Sequence, residues 1–136
     1  MKTRAFNTRD TEPVVALWQR CEIVTATNNP RLDIARKQKV NPELFLLGEI
    51  GQELVASVMG GYEGHRGWVN YLAVEPDHRG QGFGLAMMNA IEHELRQLGC
   101  PKINLQVRAK NSSAIEFYRS IGYLNDEVVS FGKRLD

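Results

Sequence analysis

Residues 69–98 constrain this chain more than any other stretch: an apolar run, VNYLAV, leads into EPDHRGQGFG and then into LAMMNAIEHELRQL. Glycines at 80, 82 and 84 let the backbone turn tightly with no Cβ obstructing what lies above it. A loop of this kind feeding straight into a helix aims several unpaired N–H groups, and the positive end of the helix dipole, at one spot. Such a spot suits a phosphate or pyrophosphate. The chain must therefore fold so that a strand delivers this loop to the start of a helix.

Composition sets the outer limits. With 136 residues the chain fits one domain, residues 1–136, large enough to bury a core without staples. A net charge of +1 gives no basic surface for nucleic acid and no acidic solvating tail. The apolar runs are too short to span a bilayer, and MKTRAFNTRD lacks the apolar core of a signal peptide, so neither a membrane nor nucleic acid is an expected partner. Cys21 and Cys100 have no metal-ligand spacing; no metal is expected, and the cytoplasm is the expected compartment.

Residues 2–6 alternate as a first strand, and Val14, Leu17, Trp18 and Cys21 share one face of a helix over about 8–21. Asn29-Pro30 reads as a cap and first helical position for a second helix through about Lys39. LFLLGEI-GQ-ELVASVMGGY is a hairpin with Gly51 placed for a type II′ turn, and Trp68–Val74 is a further strand. After the glycine loop, Met88, Ile91, Leu95 and Leu98 form one stripe ending at Gly99. Lys102–Val107 reads as a strand. Asn111 or Ser112 then caps a helix burying Ala114, Ile115, Tyr118 and Ile121, and residues 123–135 can close as a hairpin around Asn125-Asp126. The order β-α-α-β-β-β-α-β-α-β-β is an α/β (α+β) arrangement: a mixed, mostly antiparallel sheet of about six to seven strands flanked by about four helices.

The glycine pattern fits neither common nucleotide motif. Gly80-x-Gly82-x-Gly84 is not G-x-G-x-x-G, and no Lys-Ser/Thr follows as a P-loop requires. It does resemble the acetyl-CoA loop of the GNAT superfamily of N-acetyltransferases, Gln/Arg-x-x-Gly-x-Gly/Ala, through Arg79, Gly82 and Gly84. VRAKNSSAIEFYRSIGY resembles the family's second signature through Asn111, Ala114, Phe117, Tyr118, Gly122 and Tyr123. LWQRC, NPRLDIARK, MGGYEGHRG, GCPKI and GKRL are similar to the YpeA-like group of small bacterial acetyltransferases.

The resemblance implies the GNAT acyl-CoA N-acyltransferase fold and an acyltransferase (EC 2.3.1.-) that moves acetyl from acetyl-CoA directly to an amine of a small molecule or peptide. It places the pantetheine arm along the backbone of Leu72, Ala73 and Val74, like an added strand. The pyrophosphate falls on Gly80, Gln81, Gly82, Phe83, Gly84 and Leu85, with Arg79 and Asn111 as further cofactor contacts. Tyr118 matches the family's general acid; a phenol of pKa ~10 is protonated at neutral pH and can serve a departing thiolate. Tyr118 and Asn111 also read, respectively, as a core aromatic and a helix cap.

A general base is left unassigned. Relatives that acetylate protein N-termini carry a glutamate just after the leucine matching Leu105, where this chain has Gln106, and WVNYLAV holds no acid such as histone-type relatives use. Glu63 and His65, in the loop before that strand, are the candidates for meeting substrate, and both also read as solvated loop side chains. The acceptor amine and a homodimeric state stay open. The competing readings are a GNAT domain that binds acetyl-CoA without transferring it, and an unrelated nucleotide-binding module.

Overall fold

A five-stranded sheet ordered β1-β2-β3-β4-β5 runs through the first part of the chain, with β1 Lys2–Ala5, β2 Phe45–Ile50, β3 Glu53–Tyr62, β4 Gly67–Val74 and β5 Ile103–Leu105. The computed structural model describes all residues, 1–136, as two compact units, 1–105 and 106–136. The first four strands pair antiparallel; β5 joins parallel to β4, matching Gly67 to Ile103 and Val69 to Leu105. Helices α1 (Thr11–Arg20), α2 (Pro30–Lys37) and α3 (Phe83–Gln97) complete the first unit, and α4 (Ser112–Ser120) lies in the second.

Local sequence explains most of these boundaries. The first helix begins at Thr11 rather than near Thr8, because Asn7 caps a short 3₁₀ turn over Thr8–Asp10. Asp10 closes that turn by accepting from the Asn7 N–H at 2.8 Å, and Arg4 clamps its carboxylate with two 2.8 Å contacts. Asn29 caps α2 through the Leu32 N–H at 3.1 Å, with Pro30 at the first turn. The β2–β3 turn has Gly51 at φ +61° while Gln52 keeps a negative φ, the type II′ signature.

One face of the sheet carries α1 and α2. Phe6, Phe45, Trp18 and Tyr71 form a continuous ring stack, with centroids 4.5 Å apart for Phe6–Phe45, 6.1 Å for Trp18–Phe45 and 3.8 Å for Trp18–Tyr71. Val14, Leu17, Ile34, Leu47, Met59 and Ala73 pack around it. The other face carries α3 through Met87, Met88, Ile91 and Leu95, all buried. Here the strands present glycine: a Cβ at Gly60 would lie 2.6 Å from Ile91 Cδ1, one at Gly48 3.1 Å from Met87 Sδ, and one at Gly67 3.3 Å from Leu95 Cδ1. The three glycines form a trough into which the α3 side chains settle, so helix and sheet approach closely.

Three further expectations need correction. The sheet has five strands, not six to seven, because residues 123–135 form no ladder: Asn125 accepts from the Glu127 N–H at 2.7 Å, and Glu127 turns left-handed at φ +57°. That turn exists without strands, and Val128, Val129 and Phe131 are exposed. Leu98 is exposed too, because α3 ends at Gln97 and Gly99 turns away at φ +81°. The strand expected over Lys102–Val107 shortens to three residues.

The trough makes a coupling test. Gly60→Ala alone should destabilise the fold by ~1–3 kcal/mol through overpacking. In an Ile91→Ala background, which itself costs ~2–5 kcal/mol, the same Gly60 change should cost much less. Chemical denaturation of the four proteins measures the difference, and simple additivity would refute the close approach.

Candidate active site

β4 runs antiparallel to β3 but is interrupted. Ser57 pairs with Ala73, and Met59 with Asn70, so Tyr71 and Leu72 together face Val58 alone. This is a β-bulge. Tyr71 sits at φ +52°, a left-handed conformation costing a non-glycine residue ~1–2 kcal/mol. The extra residue reverses the alternation of side chains. Val69 is buried on the α3 side beside Gly67, yet Tyr71, two residues on, stacks on Trp18 of α1 on the opposite face.

The bulge has built supports. Ser57 Oγ donates to the Tyr71 carbonyl at 2.8 Å and accepts from Trp18 Nε1 at 2.9 Å. The Tyr71 hydroxyl donates to Asp33 Oδ2 of α2 at 2.6 Å. Burial and this carboxylate together push the Tyr71 phenol well above its ordinary range, so it stays a neutral donor.

Beyond the bulge the β5-facing edge of β4 opens, because pairing to β5 ends at Val69. The Glu75 N–H reaches back to the Val55 carbonyl at 2.7 Å. By the alternation of strand backbone groups, Ala73 also points at β3, whereas Leu72 and Val74 point to the open edge. The Val74 carbonyl there accepts from Arg79 Nε at 3.2 Å and from the Cys21 thiol at 3.3 Å. Burial raises the Cys21 thiol, more than the nearby Arg79 lowers it, so it is held as a thiol rather than a nucleophilic thiolate.

The glycine loop follows directly. Buried Glu75 is anchored by Arg20 at 2.6 Å, and a 3₁₀ turn over Pro76–His78 carries the chain to Arg79. Gly80 and Gly82 take φ +79° and +82°, with open space where a Cβ would stand. Gly82 is the residue before α3, and no side chain caps this helix, unlike α2 and α4 with Asn29 and Asn111. The first main-chain bond of α3 is from Ala86 N–H to the Gly82 carbonyl, which leaves Phe83, Gly84 and Leu85 with N–H groups free for an outside acceptor. Gln81 and Leu85 are exposed at this end.

Asn111 and Tyr118 lie in the second unit, at opposite ends of α4. Asn111 Oδ1 accepts from the Ala114 N–H at 3.2 Å, so the cap role expected for it is present. Tyr118 is half-buried between the edges of Phe117 and Tyr123, at 5.1 and 5.8 Å, and burial pushes its phenol up to about 12. Glu63 and His65 sit in the β3–β4 turn, at the far end of β4 from the glycine loop and roughly 16 Å along the strand from Leu72. Glu63 accepts from the His65 and Arg66 N–H groups, and these hold its carboxyl below the usual range. It closes the turn and is a weakened proton acceptor.

The sequence pattern of the Acetyltransferase (GNAT) family matches residues 10–123. The chain belongs to that family. An acetyltransferase of Sodalis glossinidius is 46% identical over 136 residues, covering 99% of this chain and 96% of that protein. An acetyltransferase of Pectobacterium atrosepticum is 44% identical over 135 residues, with the same coverages. Among solved structures, an aminoglycoside 6′-N-acetyltransferase of Acinetobacter haemolyticus superposes at a TM-score of 0.77, with 17% identity and full coverage of both chains. A predicted acetyltransferase of Clostridium acetobutylicum, solved with acetyl-CoA, superposes at 0.74, with 17% identity over 96% of this chain and 95% of that one. These two likenesses establish that the GNAT fold is shared.

Within this GNAT chain, neither the bulge nor its supports show in the sequence. VNYLAV, with Asn70 as its one strongly polar residue, reads as a continuous strand, and only the strained tyrosine and its three partners betray the extra residue. The left-handed glycine before α3 can be tested directly. Gly82→Ala should destabilise the fold by ~1–2 kcal/mol from backbone strain alone. Gly82→Asn, which tolerates that conformation, should recover part of the loss in thermal melts.

Proposed function

We propose that the chain is a single-domain, acetyl-CoA-dependent N-acetyltransferase that transfers the acetyl group directly to an amine of a small molecule or peptide. The observation that carries this reading is the uncapped start of α3, reached through two left-handed glycines from the open edge of β4. In this reading the pyrophosphate accepts from N–H groups over Gly80–Leu85, and the pantetheine amides pair with Leu72 and Val74 along the edge. Arg79 and Asn111 are assigned as further cofactor contacts. The Leu72 backbone N–H is assigned to the thioester carbonyl, where it stabilises the oxyanion as the amine nitrogen attacks.

Collapse of the tetrahedral intermediate breaks the carbon–sulfur bond. The nitrogen loses a proton and the thiolate gains one. Tyr118 is assigned to the departing sulfur. Its phenol, raised to about 12, is neutral at every working pH and so is always a hydrogen-bond donor. Against a thiol of ordinary pKa ~8.5 this phenol is the weaker acid, so the hydroxyl stabilises the charge developing on sulfur by donating a hydrogen bond, and the proton that sulfur finally gains is balanced by the one the nitrogen gives up to solvent. The YpeA-like resemblance narrows kinship without naming an acceptor.

Calorimetry with acetyl-CoA, CoA and ATP tests the cofactor, and a preference for ATP would overturn the reading. An acetylation screen over amino acids, polyamines, aminoglycosides and peptide N-termini identifies the acceptor class. Binding without turnover on any of these supports a sensing domain instead. Tyr118→Phe should lower kcat by ~10²-fold or more while leaving acetyl-CoA affinity nearly unchanged. Because the phenol is neutral until pH nears 12, the wild-type kcat should show no basic fall from this group at neutral or mildly alkaline pH.

A further inference from the structure

The bulge in β4 is held by groups that have no other evident use. Ser57 is fully buried in the middle of β3, where a polar side chain is costly unless paired. Its hydroxyl spends its single donor on the Tyr71 carbonyl and accepts from the indole N–H of Trp18, itself fully buried. Water cannot stand in for either partner. The Tyr71 ring is fixed independently, by the 3.8 Å stack on Trp18 and by Asp33 at 2.6 Å.

We propose that Ser57 and Trp18 are positioning residues for acetyl transfer: they lock Tyr71 in its left-handed conformation and so fix the direction of the Leu72 backbone N–H. This rests on the acetyl-CoA reading above, which places the thioester carbonyl at that N–H. A glycine at position 71 would reach the same backbone angles without strain, but it would also reach others. A tyrosine tethered through carbonyl, ring and hydroxyl has one pose. The tethers come from α1, β3 and α2, so three separate elements converge on a single strained residue immediately before the open strand edge. Polarisation of a carbonyl by an N–H depends on the donor being aimed before the reaction, and a backbone donor is aimed only by its neighbours.

The test needs no acceptor amine. Acetyl-CoA labelled with ¹³C at the thioester carbonyl is bound to the protein, and the carbonyl chemical shift and stretching frequency report its polarisation. The wild type should displace both from their values in free acetyl-CoA. Ser57→Ala should lose most of that displacement while CoA affinity changes by less than about threefold, and with an acceptor in hand kcat should fall by ~10-fold to 10²-fold with KM for acetyl-CoA little altered. Trp18→Phe, which keeps the ring stack and drops the N–H, should move the signal the same way by less, and it serves if Ser57→Ala does not fold. Leu95→Ala, a comparable core loss on the α3 face, should leave the signal in place. Full displacement retained in Ser57→Ala or in Trp18→Phe, or an equal loss in Leu95→Ala, overturns the proposal. A wild-type protein that binds acetyl-CoA without any displacement overturns it as well, whereas failure to bind acetyl-CoA at all sinks the cofactor reading beneath it.

Discussion

A single strained residue organises the first unit. Tyr71 adopts a left-handed conformation inside a strand, and the surrounding structure holds it there with a serine bond to its carbonyl, an indole against its ring and a carboxylate on its hydroxyl. Each tether comes from a different element, so α1, α2, β3 and β4 are mutually located by one side chain and its backbone. The bulge that results redirects Tyr71 and Ala73 toward α1 and turns the backbone of Leu72 and Val74 to an unpaired edge. Without it β4 would run on as a regular strand.

Close packing on the opposite face serves the same region. Gly48, Gly60 and Gly67 make a trough under Met87, Ile91 and Leu95, and this seats α3 firmly on the sheet. A helix so fixed has a fixed N-terminus. The Arg20–Glu75 pair ties the end of α1 to the residue leaving β4, and Arg79 returns to the Val74 carbonyl, so the segment leading into the glycine loop is held at two points. The loop itself keeps open space above Gly80 and Gly82. Rigidity around an open cradle is the arrangement that anion binding at a helix terminus calls for.

Much of this was legible beforehand, for identifiable reasons. The caps at Asn29 and Asn111, the type II′ turn at Gly51, and the helix after the glycine loop depend on contacts within a few residues, and local chemistry speaks for them. The Arg79, Gly82 and Gly84 spacing with the Asn111 and Tyr118 signature pointed to the GNAT family, to which the chain belongs. The hairpin expected over 123–135 did not form, because an alternating pattern makes strands only where a partner edge completes the ladder. Glu63 and His65 lie in the β3–β4 turn, at the other end of β4 from the glycine loop, a distance set by strand length that residue type alone does not show.

By itself the sequence determined the family, the element order as far as α4 and the glycine cradle, because all three are written in short-range spacing. The bulge, the burial of Ser57 against Trp18, and the glycine trough beneath α3 were decided only by the tertiary structure. Each joins residues tens of positions apart: Trp18 to Ser57, Asp33 to Tyr71, Gly60 to Ile91. No local pattern encodes such pairings, since the free energy that selects them arises only when helix and sheet exclude water from between them.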